Sequence, residues 1–522
     1  FSLAILPDGQ SFLLGTRWRL RYFDKQGREI WNVQPPEQVW AANVARQGKL
    51  GILALGDGTI RWYRLSDGEE LLAFFPHRDG KRWVAWTPSG YYMASAGGDT
   101  LIGWHVNRGK DRAGDFFSVS RFRDDLYRPD VVGKVLAFLD EGKALAAANQ
   151  TADRRVPQRG IADILPPVVA VEGGSAVADG RLTLNYSIRS ASGEPAKGLR
   201  VLADGRPIAE LTGDIEAKQD GTQHRLDVAL PENTRGISLV AKNRHGIYSE
   251  PAMLALDYAE GGGAKPQPKL YLLAIGVSDY ANPELKLKYA GRDARDFSDK
   301  ASLQKGGLYR SVETRVLTDG EASLENVLEG LAWIQKTPQS GDVAMIFLAG
   351  HGVDDSGGNY FFLPHGTDLD RLPETAVPYE RIRSTLASIP ARTFLFVDTC
   401  HAAGVWGQAK SAPVDINRVV NDLASPEYGV VVFASSANEQ LSLESDVWQN
   451  GAFTEALLEG IDGEATYRDK PYITVSMLDV YLSERVYELT RGRQTPTTRR
   501  PLNVPSGFRI VLPASLLESL GR

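Results

Sequence analysis

The sequence predicts a multidomain protein: an N-terminal region of short antiparallel strands, a small β-sandwich, and a C-terminal α/β domain with a mostly parallel sheet. Three observations lead to this prediction. A motif recurs near the N-terminus with a period of about 40 residues, short alternating strands follow it, and apolar runs then alternate with helical patterns. The length of 522 residues also requires several domains, because single hydrophobic cores stop growing at roughly 250–300 residues.

The composition is that of an ordinary soluble globular protein, with 43% hydrophobic and 24% charged residues. A net charge of −6 without a dense Lys/Arg stripe predicts no nucleic-acid partner. No apolar run approaches the ~20 residues of a membrane span, so we predict no membrane partner. The single cysteine excludes an intrachain disulfide, and we expect a cytoplasmic protein. Because the chain starts at Phe1 within a strand-like run, we expect a fragment or a processed product.

Residues 1–116 carry the repeat. Gly-Asp-Gly-Thr-Ile-Arg-Trp-Tyr at 56–63 is followed by Gly-Asp-Thr-Leu-Ile-Gly-Trp-His at 98–105, with a weaker copy at 16–22, and a turn follows each copy. These residues resemble the WD40 family, although its Trp-Asp dipeptide is not kept. The resemblance implies an incomplete β-propeller, because about three blades are visible and closed propellers use ~4–8. An unrelated antiparallel sheet is the alternative.

A connector and a second β-region separate the repeats from the C-terminal domain. We predict a connector at 117–164 with one amphipathic helix at 131–145, followed by short alternating strands at 165–258. Their number and spacing favour a small immunoglobulin-like β-sandwich that serves as a spacer or a docking module. The Gly- and Pro-rich stretch 259–268 is predicted to be a linker.

Residues 269–515 alternate between strand and helix patterns, which predicts a mostly parallel sheet with helices on both faces. A spacing typical of a capping box at 318–321 predicts the start of a helix at 322. The predicted strands are 270–275, 312–317, 343–348, 393–397, 430–434 and 508–512, with a short hairpin at 360–363. The predicted helices are 291–303, 322–336, 379–388, 453–461 and 475–489.

Two of these strands end in residues that can perform nucleophilic chemistry. Ala-Gly-His-Gly at 349–352 follows one apolar run, and Asp-Thr-Cys-His at 398–401 follows another. Because the carboxyl ends of parallel strands meet at one edge of a sheet, we expect His351 to lie near Cys400 and to accept its proton. The backbone N–H groups of Gly352 and Cys400 are the candidate donors to an oxyanion. A lone cysteine after a strand is otherwise an inert, small hydrophobic residue.

Two further histidines lie near this site in the sequence. His401 adjoins Cys400, so we expect its side chain to point elsewhere, in a structural or rim role. His365 follows Leu-Pro after the short hairpin and is interpreted as a loop residue.

Residues 269–512 resemble the caspase-like cysteine peptidases, and among them the bacterial branch related to metacaspases and orthocaspases. The matching motifs are Leu-Leu-Ala-Ile-Gly at 272–276 with Asp-Tyr at 279–280, residues 287–294, 349–352, 398–404, 433–437 and 451–454. The resemblance implies that His351 is the acid/base and Cys400 the nucleophile. It also implies that Asp398 and Asp293 line the primary substrate pocket.

Two carboxylates in a partly desolvated pocket would favour Arg or Lys before the cleaved bond. For Asp293 the alternative is a solvated carboxylate at a helix start. Ser435, Ser436 and Trp448 are weaker candidates for lining the neighbouring subsites.

No cofactor is predicted. The acid-rich loop that binds calcium in many metacaspases is not evident, since the acids at 354–355 and 368–370 fall short of the ~6–8 oxygen ligands of a calcium site. The stretch 404–428 reads as a loop, and Lys410 and Arg418 within it are candidate sites of self-cleavage.

The sequence therefore predicts a cysteine endopeptidase that cuts proteins after Arg or Lys, with a protein partner or regulator bound through the propeller. One alternative is a catalytically silent scaffold whose propeller binds the partner. Another is a different cysteine hydrolase or acyltransferase on a similar sheet.

Overall fold

A computed structural model describes residues 2–151, 160–173, 176–231, 234–256, 267–355, 358–401, 415–436, 442–468 and 470–519. The chain divides into two compact units, Phe1–Gln158 and Arg159–Arg522.

Antiparallel sheets make up most of the first unit. Its described strands are β1 (Ser2–Ile5), β2 (Ser11–Gly15), β3 (Leu20–Asp24), β4 (Glu29–Val33), β5 (Val39–Ala45), β6 (Leu50–Leu55), β7 (Ile60–Arg64), β8 (Glu70–Pro76), β9 (Trp83–Trp86), β10 (Tyr92–Ala94), β11 (Gly103–Val106) and β12 (Asp115–Ser118). Strands β1 to β4 form one sheet, β5 to β10 a second, and β11 pairs with β12. Leu13 of the first sheet and Leu53 and Tyr63 of the second pack in one buried cluster, so these two sheets share a core.

The recurring motif coincides with turns that precede strands. In the copy at 56–63, Asp57 accepts hydrogen bonds from the backbone N–H and the hydroxyl of Thr59, just before β7. The copy at 98–105 places a short 3-10 turn, Gly98–Thr100, ahead of β11. The described strands of this unit form open sheets without a closed barrel, so the propeller stays a prediction.

The single helix predicted at 131–145 is wrong. After α1 (Arg123–Leu126), the chain forms α2 (Pro129–Phe138) and α3 (Glu141–Thr151). Leu139 between them adopts a left-handed conformation with φ of 53°. The Asp140 carboxylate then accepts the backbone N–H of Lys143 at 2.8 Å, which is an N-terminal cap. Asp140 thus marks the start of α3, although the apolar pattern continues across it.

The second unit begins with two four-stranded antiparallel sheets that share one hydrophobic core. The elements are α4 (Ile161–Ile164), β13 (Val168–Val171), β14 (Ala176–Ala178), β15 (Arg181–Arg189), β16 (Ala196–Ala203), β17 (Arg206–Ile215), β18 (Thr222–Ala229), β19 (Gly236–Lys242) and β20 (Ala252–Ala255). One sheet has β15 at its centre, paired with β13, β14 and β18, and the other has the order β17-β16-β19-β20. We call these two sheets the sandwich; an immunoglobulin-like topology stays a prediction.

An eight-stranded sheet forms the centre of the C-terminal region. Its strands are β21 (Lys269–Gly276), β22 (Ser311–Thr318), β23 (Val343–Asp354), β24 (Tyr360–Phe362), β25 (Val377–Pro378), β26 (Arg392–His401), β27 (Val430–Ala434) and β31 (Thr497–Arg499). Neighbouring strands β22, β21, β23, β26 and β27 are parallel, whereas β24, β25 and β31 pair in antiparallel fashion. Two small antiparallel pairs lie outside this sheet: β28 (Glu444–Ser445) with β29 (Asn450–Gly451), and β30 (Ile473–Thr474) with β32 (Arg509–Val511).

Helices cover both faces of the sheet, as the strand–helix alternation predicts. They are α5 (Ala290–Ser302), α6 (Leu324–Lys336), α7 (Leu372–Thr375), α8 (Tyr379–Ser388), α9 (Ile416–Leu423), α10 (Ala452–Glu459), α11 (Val475–Thr490) and α12 (Ala514–Ser519). On one face, Phe297 of α5 stacks on Phe347 of β23 with ring centroids 4.9 Å apart. On the other face, Gly330 of α6 lies so close to Leu273 of β21 that a β-carbon there would be 2.8 Å from the leucine.

Two predictions of local structure in this region are wrong. The capping box at 318–321 does not open a helix; those residues include a 3-10 turn, and Ser323 caps α6 by accepting the N–H of Asn326. The stretch 404–428 is not a loop throughout, because 416–423 form α9. Its buried residues Ile416, Val419, Val420 and Leu423 follow helical spacing, which was visible in the sequence.

A buried arginine joins the sandwich to the C-terminal region. Arg206, with 3% of its surface exposed, donates hydrogen bonds from its guanidinium to the carbonyl oxygens of Leu386, Ile389 and Tyr428. Leu386 lies in the last turn of α8, so the cation also faces the negative end of a helix dipole. Burial lowers the pKa of Arg206 to about 9, which still leaves the guanidinium charged at neutral pH.

Contacts around Arg206 bring the two backbones together. Asp204 pairs with Arg392 at 3.2 Å, at the first residue of β26. A β-carbon at Gly429 would overlap the carbonyl oxygen of Gly205, and both glycines have positive φ. Gly429 immediately precedes β27. The sandwich therefore contacts the amino ends of β26 and β27, opposite to the edge where the candidate catalytic residues lie.

Candidate active site

The carboxyl ends of β23 and β26 bring the predicted histidine and cysteine side by side. The two parallel strands keep a continuous register, in which His351 lies directly opposite Cys400. Adjacent strands are about 4.8 Å apart, so these residues are immediate neighbours.

Hydrogen bonding fixes the orientation of the His351 ring. The side chain is buried, and its Nε2 lies 3.0 Å from the carbonyl oxygen of Leu285. Because a carbonyl oxygen only accepts hydrogen bonds, the neutral ring carries its proton on Nε2, and Nδ1 is the basic nitrogen. Leu285 ends the 3-10 turn Pro283–Leu285, which Asn282 caps. The loop after β21 thus favours the tautomer in which Nδ1 of His351 is the acceptor nitrogen.

Close packing explains the glycines on both sides of His351. The backbone N–H of His351 donates to the hydroxyl oxygen of Tyr280 at 2.8 Å, and the two rings lie 5.3 Å apart. Gly350 has φ of 146°, and a β-carbon there would lie 2.8 Å from the same hydroxyl. A β-carbon at Gly352 would lie 2.5 Å from the ring of Tyr360. Either substitution would displace an aromatic residue next to the histidine.

The two predicted pocket carboxylates converge on one point. Asp293 lies in the first turn of α5, Asp398 lies on β26 two residues before Cys400, and both are buried. A β-carbon placed on Gly451 would lie 2.8 Å from Oδ2 of Asp398 and 3.3 Å from Oδ2 of Asp293. The backbone N–H of Gly451 donates to Oδ1 of Asp293 at 3.1 Å. Asp293 is therefore not a solvated residue at a helix start.

Neither carboxylate has a cationic partner among the described residues that approach it. Burial raises the pKa of Asp398, and hydrogen bonds from the hydroxyls of Ser442 and Thr454 partly offset that rise. Burial and then the nearby charge of Asp398 raise the pKa of Asp293 well above its ordinary value. Two close, buried carboxyl groups resist double ionisation, so the pair favours either a shared proton or a bound cation.

Of the remaining subsite candidates, Ser435 contacts the same pair. Ser435 and Ser436 follow β27 and are buried, and the Ser435 hydroxyl hydrogen-bonds Asp398. Trp448 lies in the turn between β28 and β29, half-buried, and its indole N–H has no acceptor among the described residues.

Sequence reasoning missed the residues that support this arrangement. Gln494 is fully buried; its amide donates to the carbonyl of Ser435 and accepts the N–H of Leu443. Thr454 belongs to a motif quoted above, but its hydrogen bond to Asp398 at 2.7 Å gave no sequence signal. The hairpin of β28 and β29 was missed because strands of two residues carry no periodicity.

Other predicted residues lie apart from this site. His365 is a loop residue whose Nδ1 contacts the carbonyl of Asp279. Of the candidate self-cleavage positions, Arg418 lies in α9 and donates to the carbonyl of Gly358, whereas Lys410 lies outside the described residues. Asp354 ends β23 and accepts the backbone N–H of Asp415 at 3.1 Å. Burial raises the pKa of Asp354 to about 7.

In the part of the chain that the structure describes, no group of three or more His, Cys, Asp or Glu side chains is arranged to hold a metal ion. None of the helices described is both long enough and apolar enough to cross a membrane.

Comparison with known proteins assigns the C-terminal region. Residues 269–504 match the family model of the caspase domain. No curated protein matches the chain. The crystal structure of a protein from Geobacter sulfurreducens, 17% identical, aligns with 47% of this chain and 100% of its own with a TM-score of 0.35, too low to support a conclusion. Residues 269–504 are thus similar to the caspase domain, a domain of cysteine peptidases.

Proposed function

We propose that this domain is a cysteine endopeptidase that cleaves protein substrates after Arg or Lys, with His351 and Cys400 as its catalytic pair. The observation that carries the proposal is the register of β23 and β26, which sets His351 opposite Cys400 at the carboxyl edge of the sheet. The buried carboxylate pair lies on the same edge, since Asp398 is two residues, or roughly 7 Å, from Cys400 along the strand. The proposed nucleophile, base and cation-binding pair would then fit within the span of one substrate residue.

The chemistry follows from the tautomer of His351. Nδ1 accepts the proton of the Cys400 thiol, and the thiolate attacks the carbonyl carbon of the peptide bond. The resulting oxyanion accepts hydrogen bonds, for which the N–H groups of Gly352 and Cys400 are our candidates. Collapse breaks the C–N bond as His351 returns its proton to the leaving amine. Water, deprotonated by His351, then hydrolyses the thioester and regenerates the thiol.

The acidic pair gives the specificity. A guanidinium or ammonium group entering between Asp293 and Asp398 would form charge-assisted hydrogen bonds in a site that excludes most water. An aspartate side chain there would bring a further negative charge next to two carboxyl groups that already resist double ionisation. Ser435, Ser436 and Trp448 are proposed to line the adjoining subsites. The N-terminal sheets are proposed to bind a protein partner that regulates cleavage.

The experiment is a panel of fluorogenic peptides that differ only in the residue before the cut, tested with the full chain and its C400A variant, with and without calcium. Cleavage after Arg or Lys that is lost in C400A is the expected result. Cleavage after Asp would leave the catalytic pair in place and contradict the pocket assignment. No cleavage of any peptide would contradict the proposal and favour the silent scaffold.

A further inference from the structure

The hairpin of β28 and β29 packs against the two buried carboxyl groups, Asp293 and Asp398. In its register Glu444 pairs directly with Gly451, and residues 446–449 form the turn. Gly451 is the residue whose N–H donates to Asp293 and whose α-carbon packs against Asp398. Any shift of this hairpin would therefore change the surroundings of both carboxylates.

Glu444 fastens the other strand of the hairpin to the start of α5. Its carboxylate accepts the backbone N–H groups of Lys288 at 3.0 Å and Tyr289 at 2.9 Å. Tyr289 is the cap residue of α5, and its own side chain makes no capping hydrogen bond. A negative charge at this helix end also interacts favourably with the helix dipole. Glu444 thus replaces the cap that the local sequence lacks.

Glu444 and Gly451, on opposite strands of the hairpin, contact the two sides of the first turn of α5. Glu444 holds the backbone that leads into α5, and Asp293 follows in the first turn of that helix. Directly across the hairpin, Gly451 holds the Asp293 carboxylate next to Asp398. The position of Asp293 relative to Asp398 is therefore set by one hairpin that is attached at both of its strands.

We infer that Glu444 is a positioning residue for substrate specificity: it keeps Asp293 and Asp398 at the separation that accepts a guanidinium group. This inference rests on the proposed function. Glu444 does not touch the substrate; it acts through the hairpin and the helix start. Sequence reasoning did not select it, because a glutamate before a short turn is ordinarily a solvated residue.

Glutamine at position 444 is a suitable perturbation, because it has nearly the same size. Its amide has one oxygen where the carboxylate has two, so one of the two N–H groups of 288 and 289 would face an NH₂ group instead of an acceptor. The charge of Glu444 also contributes to the raised pKa of Asp293, after burial and Asp398. Removing that charge therefore lowers the pKa of Asp293 and moves the pH dependence of KM towards lower pH.

The matched control is Asp446→Asn in the same hairpin. Asp446 contacts Lys288 at 3.1 Å and the hydroxyl of Tyr289 at 2.6 Å, but its side chain is 73% exposed. Exposed ion pairs of this kind are screened by solvent and contribute little to stability. We would measure kcat and KM for Arg and Lys peptides across pH 6 to 9 with the full chain, E444Q and D446N, and thermal unfolding of each.

For E444Q we expect KM for Arg peptides to rise about tenfold with kcat within about twofold, and the pH midpoint of KM to fall. For D446N we expect changes below about twofold. Equal KM values in the two variants, or a decrease of kcat in E444Q at constant KM, would overturn the inference. If the wild-type protein still cleaves after Arg, either result would leave the proposed function in place. A wild-type protein that does not cleave after Arg or Lys would overturn both.

Discussion

The two ends of strand β26 bury charge in opposite ways. At its amino end, the Arg206 guanidinium is surrounded by three backbone carbonyls, and Arg392 pairs with Asp204. At its carboxyl end, Asp398 lies beside Asp293, with hydroxyl groups and backbone N–H groups as partners. In the first arrangement the charged groups have partners within the chain, whereas in the second no cation among the described residues approaches either carboxyl group. A buried charge with full partners serves assembly, and one with incomplete partners is available for binding.

The largest expected effect is at the carboxyl end. Replacing Asp398 with Asn removes one of the two carboxyl groups that are proposed to bind the substrate cation, and we expect kcat/KM for Arg peptides to fall about 100-fold. Steady-state kinetics would measure this. The fold should persist, because an amide oxygen can still accept from Thr454. An unchanged kcat/KM would mean that the substrate cation binds elsewhere.

At the amino end, Arg206→Ala should reduce stability without changing the site. It leaves three carbonyls without their donor, and we expect the free energy of unfolding to fall by about 3 kcal/mol. Urea denaturation followed by tryptophan fluorescence would measure the loss. Lys197→Ala is the control, since Lys197 forms an exposed pair with Asp214 on the same sandwich. A loss of peptidase activity in molecules that remain folded would show that the two ends are coupled.

A smaller effect is expected in the pH dependence of KM, through Asp293 at the carboxyl end of β26. Because the pKa of Asp293 is raised, the group takes up a proton at higher pH than an ordinary aspartate, and protonated Asp293 attracts a cation less. KM for Arg peptides should therefore rise as pH falls, starting at a higher pH than the pKa of an ordinary aspartate would give. In Asp293→Asn the KM should be higher and should lose this dependence on pH. A pH profile identical to that of wild type would exclude Asp293 as the titrating group.

The smallest expected effect concerns Asp354. Its pKa of about 7 in the folded state exceeds the ordinary value of about 3.9, so its contribution to stability falls as pH rises from about 4 to 7. Asp354→Asn should raise the midpoint of thermal unfolding by a few degrees at pH 8 and by less at pH 5. Asp370→Asn, at an exposed position, is the control. Equal shifts at both pH values would contradict the assignment.

The sequence predicted the carboxyl end of β26 in part and its amino end not at all. The strands of the parallel sheet follow from their apolar runs, and the proximity of His351 to Cys400 follows from a general property of parallel sheets. Their exact register does not, because it depends on how the side chains of neighbouring strands pack. Asp293 and Asp398 were linked only through resemblance to a family. Their meeting point at Gly451 needed the hairpin, which is held by tertiary hydrogen bonds and not by local propensity.

The amino end was not predicted at all. Arg206 lies in a hairpin whose sequence, Asp-Gly-Arg-Pro at 204–207, is typical of an exposed turn, and arginine is rarely fully buried. Its partners are backbone carbonyls about 180 and 220 positions away in the chain. Every residue carries a backbone carbonyl, so no pattern of amino acids could identify the ones that accept from Arg206.

The contact between Gly205 and Gly429 has a consequence for how these two regions can evolve. A β-carbon at Gly429 would overlap the backbone of Gly205, and a β-carbon at Gly205 would lie 2.4 Å from the Val504 side chain. Both glycines also have positive φ, so a side chain at either position would disturb the interface. A sandwich borrowed from another protein would have to bring the same tight turn and the same arginine in order to fit. The sandwich and the caspase-like region are therefore expected to be inherited together, and a chimera that exchanges either one alone should fail to assemble.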